Sequence, residues 1–474
     1  MRLDLRISLL FAIIPLAAWG DDVTWIQKYA TESASANQAC GAKDFAECRR
    51  HLAILMELLD GRVDIVYRLA RVDAMLGNRA AALDGLNTFS KTKLPIADPE
   101  AEPAFADLRA SVDFAGILSR VNAARQPVSK SRPFLNVPEK DLVAEDLAYD
   151  PAGDRFYVSS VRKGKILSLT KDGKAAEFLA AGTPDVWAIL ALRVDAQHRV
   201  LWASTAAMPE YANFRKEDHG RSALLKYSLR DGALIKRYDL PRDTDHSLGD
   251  MTLSSAGDVF LADNYGPIYW VAHDTDRLEM LMPAGTFRSP QTPALSADGS
   301  VLFVPDYTRG ISAIDLQSKQ AKLLSHPREL SLAGIDGLYL IGRTMIAIQN
   351  GTSPVRVIRM QLNSSLTEIE GFDVLECNWK GLGAPTHGVV VGDRFYFIVN
   401  SGWDRLNDDG QLKPGATFES PEIRELNLKE STAAANDDAA SAMEKLRRLV
   451  PLTMPRAAAR PWWRSSSWME CPSS

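Results

Sequence analysis

The chain has 474 residues, 46% of them hydrophobic and 24% charged, with a formal net charge of −5. That length suits two or three domains. A mildly acidic balance with no basic excess argues against a nucleic-acid partner.

The first 20 residues, MRLDLRISLLFAIIPLAAWG, place Arg2 and Arg6 ahead of an apolar run from Ile7 to Ala18. Small residues at Ala18 and Gly20 complete the pattern of a secretory signal over 1–20, cleaved after Gly20. The run is about a dozen residues, short of the roughly 20 that a spanning helix needs. No cysteine follows it directly, and no later stretch is long and apolar enough to cross a bilayer. The expectation is an exported protein, periplasmic or extracellular, with no membrane span after cleavage. Cys40 and Cys48 could bridge neighbouring helices in an oxidising compartment. No Cys-x-x-Cys pair supports zinc or thioredoxin-type chemistry.

Residues 21–124 carry helical periodicity. DFAECRRHLAILMELLDG has apolar residues at three- and four-residue spacing and stops at Gly61. DIVYRLARVDAMLGNRAAALDGLNTF predicts two more helices about a Leu-Gly-Asn break, with Ala70, Ala74, Ala81 and Ala82 allowing close approach. The pair looks like a degenerate tetratricopeptide hairpin, and FADLRASVDFAGILSRVNAA adds a closing helix. Such a region either binds a protein partner in its groove or caps the next domain. Residues 125–133 read as a polar linker containing Pro127 and Pro133.

From 134 to 429 the period changes to two. Six segments share one template of polar loop, short apolar strand, turn and second strand. They are AEDLAYDPAGDRFYVSS, WAILALRVDAQHRVLWAST, LGDMTLSSAGDVFLADN, SPQTPALSADGSVLFVPDY, GIDGLYLIGRTMIAIQNG and PTHGVVVGDRFYFIVNS. Each is followed by a further strand, and the copies recur roughly every 40 to 60 residues, the spacing of propeller blades. The fold class is therefore mainly β, a six-bladed β-propeller preceded by a small α-helical, tetratricopeptide-like region. Residues 430–474 show no sustained period, and their early part has the composition of a disordered tail.

The six segments resemble the gluconolactonase/regucalcin-like family of six-bladed propellers, over about 300 of the 474 residues. In that family the start of each blade's first strand reaches a central funnel, where acidic and amide oxygens hold a divalent cation. The resemblance implies metal ligation by Glu145, Asp250 and Asp336. Asp250 stands one place beyond Gly249, the position where metal-binding relatives carry an asparagine. It also implies Ca²⁺ or another divalent cation as cofactor, His387 and Asp336 as catalytic groups, and Gln291 and Thr386 as substrate contacts. Hard oxygen donors suit Ca²⁺, and a cation would relieve repulsion between facing carboxylates.

Each residue also has a plain structural reading. Asp336-Gly337 is a common turn pair, Glu145 could pair with a basic side chain, Gln291 could bond strand backbone, and His387 could be a satisfied core histidine. Asn264, Asn350 and Asn400 end equivalent strands and read first as turn or blade-bonding residues. Asp150, Asp195 and Asp298 fall in hairpins and read as surface turns. The insertion from Ala206 to Ser222 has the length of a lid. Two functions follow. One is an exported, cation-dependent hydrolase of a small-molecule lactone or ester. The other is a non-catalytic binding protein with a small ligand in the funnel and a partner on the helical region.

Overall fold

The computed structural model describes residues 24–429; the expected signal over 1–20 and the tail over 430–474 lie outside the described residues. The repeated strand pairs become six sheets, each with four blade strands. The first strands of the blades are Ala144–Asp150, Ala188–Asp195, Leu248–Leu253, Ala294–Leu295, Ile335–Ile341 and Gly388–Val391. Each touches the next and the sixth touches the first, so they form the closed inner ring. The core lies between blades rather than inside any one. Leu147 and Phe156 of blade 1, for example, pack with Tyr396 and Ile398 of blade 6.

Ring closure comes from the stretch read as a linker. Val128–Ser129 adds a short fifth strand to blade 5, and Arg132–Asn136 is the outermost strand of blade 6. Pro133 fits there because an edge strand leaves one side of its backbone unpaired. Leu135 from this strand is buried in the core shared by blades 6 and 1. One hairpin expectation is corrected. Asp150 is buried, and its carboxylate takes both terminal nitrogens of Arg199 in the neighbouring blade. A bidentate Arg–carboxylate pair holds a hairpin in place better than an exposed turn acid would.

The helical region has five α-helices, Trp25–Gly41, Phe45–Leu58, Val63–Met75, Arg79–Lys91 and Val112–Ala124, and a 3₁₀ turn at Pro103–Leu108. Thr24, Asp44 and Ser111 cap the first, second and last α-helices through side-chain oxygens, which satisfies otherwise orphaned N–H groups. Cys40 and Cys48 form a disulfide between the first two helices.

These helices sit against the rim of blades 4 and 5 from which the inner strands start. Trp25 Nε1 donates to the Thr286 carbonyl at 3.0 Å, and the Val63 amide donates to Ser331 Oγ at 3.3 Å. The deepest tie is Arg356, whose side chain is fully buried. Its guanidinium donates to Gln349 Oε1 at 2.6 Å, to the Thr92 carbonyl just past the fourth helix at 2.8 Å, and to the Ser331 carbonyl at 3.4 Å. Burial pulls its pKa down to about 9, because the ring of oxygens around it is neutral. Removing one partner from such a buried set leaves the others unsatisfied. Arg356→Ala should therefore cost about 3 kcal/mol in urea denaturation and open the helical region to proteolysis. Unchanged stability would contradict this role.

Candidate functional site

The site begins with a backbone irregularity that recurs. In blade 1, Ala144 pairs with Ser160 but Leu147 pairs with Val158, so two residues oppose one. The same one-residue bulge occurs in blades 2, 3 and 5. The bulged pairs are Glu145-Asp146, Leu190-Ala191, Gly249-Asp250 and Asp336-Gly337. A bulge bends the strand and re-aims side chains, here at the rim of the channel.

Where these positions carry acids, the two do different work. At the first, Glu145 and Asp336 line a cavity of about 510 Å³, together with Gln291, Asn350, Thr386 and Trp403. At the second, Asp146 and Asp250 reach into the following blade. Asp146 accepts the Leu192 amide at 2.7 Å and an Arg193 guanidinium nitrogen at 2.6 Å. Asp250 accepts the Thr292 hydroxyl. The shift from Gly249 to Asp250 is thus a change of bulge position. Gly249 leaves room for the Asn264 side chain, whose amide oxygen would lie 2.6 Å from a Cβ there and would have to move aside.

His387, immediately before the inner strand of blade 6, gathers these groups. It is 2% exposed. Its Nε2 lies 2.9 Å from Asp250 Oδ1 and 3.7 Å from Asp336 Oδ1, and its Nδ1 lies 3.8 Å from Glu145 Oε1. Nδ1 is also 3.1 Å from the Glu145 carbonyl oxygen. The contact to Asp250 is close but not aligned as a hydrogen bond, so Nε2 is a buried polar atom without one.

The remaining oxygens are held from outside. Trp403 Nε1 donates to Glu145 Oε2. Asn350 donates to Asp336 Oδ2 and to the Pro385 carbonyl, and Tyr307 donates to Asn350 Oδ1 at 2.9 Å. The expected substrate contacts Gln291 and Thr386 both reach the cavity wall. Their side chains bond to Ser289 Oγ at 3.0 Å and to the Ala144 carbonyl at 3.3 Å. Asp250 and His387 lie beneath the cavity lining.

Burial, reinforced by the Asp336 charge, pushes the Glu145 carboxyl up to about 8 against the pull of His387 and Trp403. Burial and the Asp250 charge lift Asp336 to about 6, opposed by His387 and Asn350. Burial disfavours a charged His387 ring, but Asp336 and Asp250 outweigh it and hold the imidazole well above its ordinary 6.5. The cavity therefore shows a protonated carboxyl beside a largely ionised one at neutral pH.

Residues that sequence reasoning passed over complete the site. Trp403 lies in the segment IVNSGWD, but nothing in that segment says which carboxylate its indole meets. Asn350 was expected as a blade-end turn and instead bonds the Asp336 carboxylate. The neighbouring Gln349 plays the blade-bonding part, donating to the Ser331 and Ala333 carbonyls. The expected lid, Ala206 to Ser222, is packed down. Tyr211 is buried in one apolar cluster with Trp187 and Leu190, against which Trp403 packs.

No protein-family model matches the chain, and no curated protein sequence matches it. Solved structures do resemble it at low identity. A luciferin-regenerating enzyme is 14% identical, covering 64% of this chain and 96% of its own, with a TM-score of 0.45. A gluconolactonase from Xanthomonas campestris is 13% identical, covering 64% and 92%, with a TM-score of 0.41. A virginiamycin B lyase from Staphylococcus aureus is 15% identical, covering 62% and 98%, with a TM-score of 0.39. The propeller assignment rests on the sheet order described above.

The raised pKa values fix a sign for pH dependence. Glu145 and His387 both bind their proton more tightly folded than unfolded. The stabilisation from Glu145 is full below its ordinary 4.5 and lost as pH rises through about 8. That from His387 is full below 6.5 and lost as pH rises through its raised folded value. Metal-free protein should lose stability between about pH 5 and about pH 8, and Glu145→Gln should remove about 2 kcal/mol of that loss. Urea denaturation across this range measures both; a variant with the wild-type slope would contradict the assignment.

Proposed function

We propose that the protein is an exported hydrolase that cleaves a lactone or ester in the propeller funnel, using a divalent cation held by Asp250, Asp336 and His387. The observation that carries the reading is the convergence of three blades' carboxyl groups on one buried imidazole beneath a 510 Å³ cavity.

The donor set fits a dication. Ligand atoms of Asp250, Asp336 and His387 all lie within 4.8 Å of one another. The unbonded Nε2 of His387 points at both carboxylates, and Nδ1 faces a backbone carbonyl, the usual way a ligating imidazole is oriented. Two carboxylates and a neutral imidazole balance a 2+ charge. A nitrogen donor also moves the preference from Ca²⁺ toward an ion such as Mn²⁺ or Zn²⁺. When bound, such a cation supplies Lewis acidity to a carbonyl in the funnel.

The chain's own groups supply the rest. Glu145 is the proton carrier: it lines the cavity, and a cation bound beside it would favour the carboxylate form that accepts a proton from water. Its Oε1 takes a proton from an attacking water and returns it to the leaving alkoxide, while Trp403 fixes Oε2. Asn350 and Tyr307 hold Asp336 in place. His387, beneath the lining, positions carboxylates rather than touching substrate. Gln291 and Thr386 face the bound molecule from the wall.

A second reading is favoured by one distance. A protonated His387, 2.9 Å from Asp250, neutralises much of the cluster without any metal, leaving the funnel as a ligand pocket with no chemistry. Hydrolysis of a panel of aldonolactones and aryl esters separates the two. The enzyme reading predicts turnover that falls about tenfold or more on chelation, returns on adding metal, and drops about 10²-fold or more in kcat for Glu145→Gln with little change in KM. Wild-type rates in that variant and after chelation would overturn it. Binding of panel compounds without turnover would support the ligand pocket.

A further inference from the structure

A second concavity lies away from the funnel, on the outer edge of blade 5. Its volume is about 660 Å³, within the range of sites that enclose a small organic molecule. Four separate parts of the chain build it. Lys91 ends the fourth helix and Lys93 follows it. Arg120 comes from the last helix, Lys130 from the crossing segment before the blade 6 closing strand, and Asp373 and Val374 from the outermost blade strand of blade 5.

Its charge is one-sided. Four cationic side chains line it against one carboxylate, Asp373, and that carboxylate already contacts Arg359. Among the described residues, Lys93, Arg120 and Lys130 form no ion pair, and Lys91 reaches Glu329 only at 3.6 Å between two well-exposed side chains. An exposed pair at that distance contributes little. The whole chain is net negative at −5, so the clustering of positive charge does not follow from composition. Like charges around one concavity repel and raise each other's free energy unless an anion enters.

The wall is also pre-arranged. Arg120 is fixed by neutral acceptors, with Nε donating to Ser90 Oγ at 2.9 Å and a terminal nitrogen to Asn87 Oδ1 at 2.8 Å. Its charge is held in place yet not cancelled. The Lys93 ammonium lies 5.0 Å above the Phe372 ring, which restrains it without neutralising it. Val128, Val374, Ala123 and Ala124 supply an apolar part of the lining. A cationic wall beside apolar surface selects a molecule with both features.

We propose that this pocket binds one small organic anion, a phosphate monoester or carboxylate carried on an apolar body. The site is independent of the funnel chemistry, because it sits at the outer edge of blade 5, on the two strands farthest from the ring axis.

Calorimetric titration of the full chain with phenyl phosphate, inorganic phosphate and neutral phenyl glucoside tests this. Phenyl phosphate should bind, more tightly than inorganic phosphate, and its affinity should fall as NaCl rises from about 50 to about 500 mM. The neutral glucoside should not bind. The double variant Arg120→Gln/Lys130→Gln, with unchanged thermal unfolding, should weaken phenyl phosphate by about tenfold or more. Equal binding to wild type and variant, equal binding of the neutral compound, or no binding of phenyl phosphate would each overturn the proposal. Funnel activity plays no part in this readout, so failure here leaves the hydrolase reading standing, and the converse also holds.

Discussion

Carboxylates from three blades crowd one buried imidazole, and the rest of the funnel is arranged around that electrostatic constraint. Three anions around a 2% exposed ring cannot persist without compensation. The structure compensates in graded ways. Glu145 keeps its proton, Asp336 shares its charge with Asn350, Asp250 takes the Thr292 hydroxyl, and His387 is held in its charged form. A dication could replace the imidazole proton without disturbing any of the outer supports. The four side chains can neutralise one another, and under the proposed reading a bound cation would take the place of the imidazole proton.

Propeller geometry makes the convergence possible. A ring of inner strands brings residues hundreds of positions apart to one axis, and the recurring bulge decides what each contributes. Where an acid fills the first position, as at Glu145 and Asp336, it faces the cavity; where an acid fills the second, as at Asp146 and Asp250, it ties the blade to its neighbour. The helical region adds an asymmetric wall over blades 4 and 5. A cavity of about 560 Å³ under it, lined by Tyr29, Arg62 and Arg288, shares Ser289 and Tyr307 with the funnel cavity. Arg356 joins the last turn of the fourth helix region to Gln349, next to the Asn350 that holds Asp336. The stability of the helical wall and the placement of one funnel acid therefore depend on adjacent residues.

Much of this architecture was legible because periodicity is a direct imprint of burial. Alternation in GIDGLYLIGRTMIAIQNG predicts two strands, and repetition of its pattern predicts blades. Glu145, Asp250, Asp336 and His387 stood out through the family resemblance, which places funnel residues near the start of each repeat. What could not be read was anything fixed by register. Gly249-Asp250 looks like a one-residue misalignment until the ladder shows a bulge with two distinct positions. Asn350 and Gln349 differ by one place in sequence and by role in space, because one turns to the axis and the other to the preceding loop. Asp150 resembles its hairpin counterparts Asp195 and Asp298, and only the neighbouring blade's Arg199 explains its burial. The crossing segment RQPVSKSRP reads as linker because its pairing partners lie more than 240 residues away, as in Lys130 to Glu376.

The central claim is that Asp250, Asp336 and His387 form one divalent-cation site. Calorimetric titration of chelator-treated protein with Mn²⁺ tests it most directly, with wild type and Asp336→Asn side by side. The account predicts about one ion per wild-type chain and affinity weakened about tenfold or more in the variant. No binding to wild type, or equal binding to both, would contradict it.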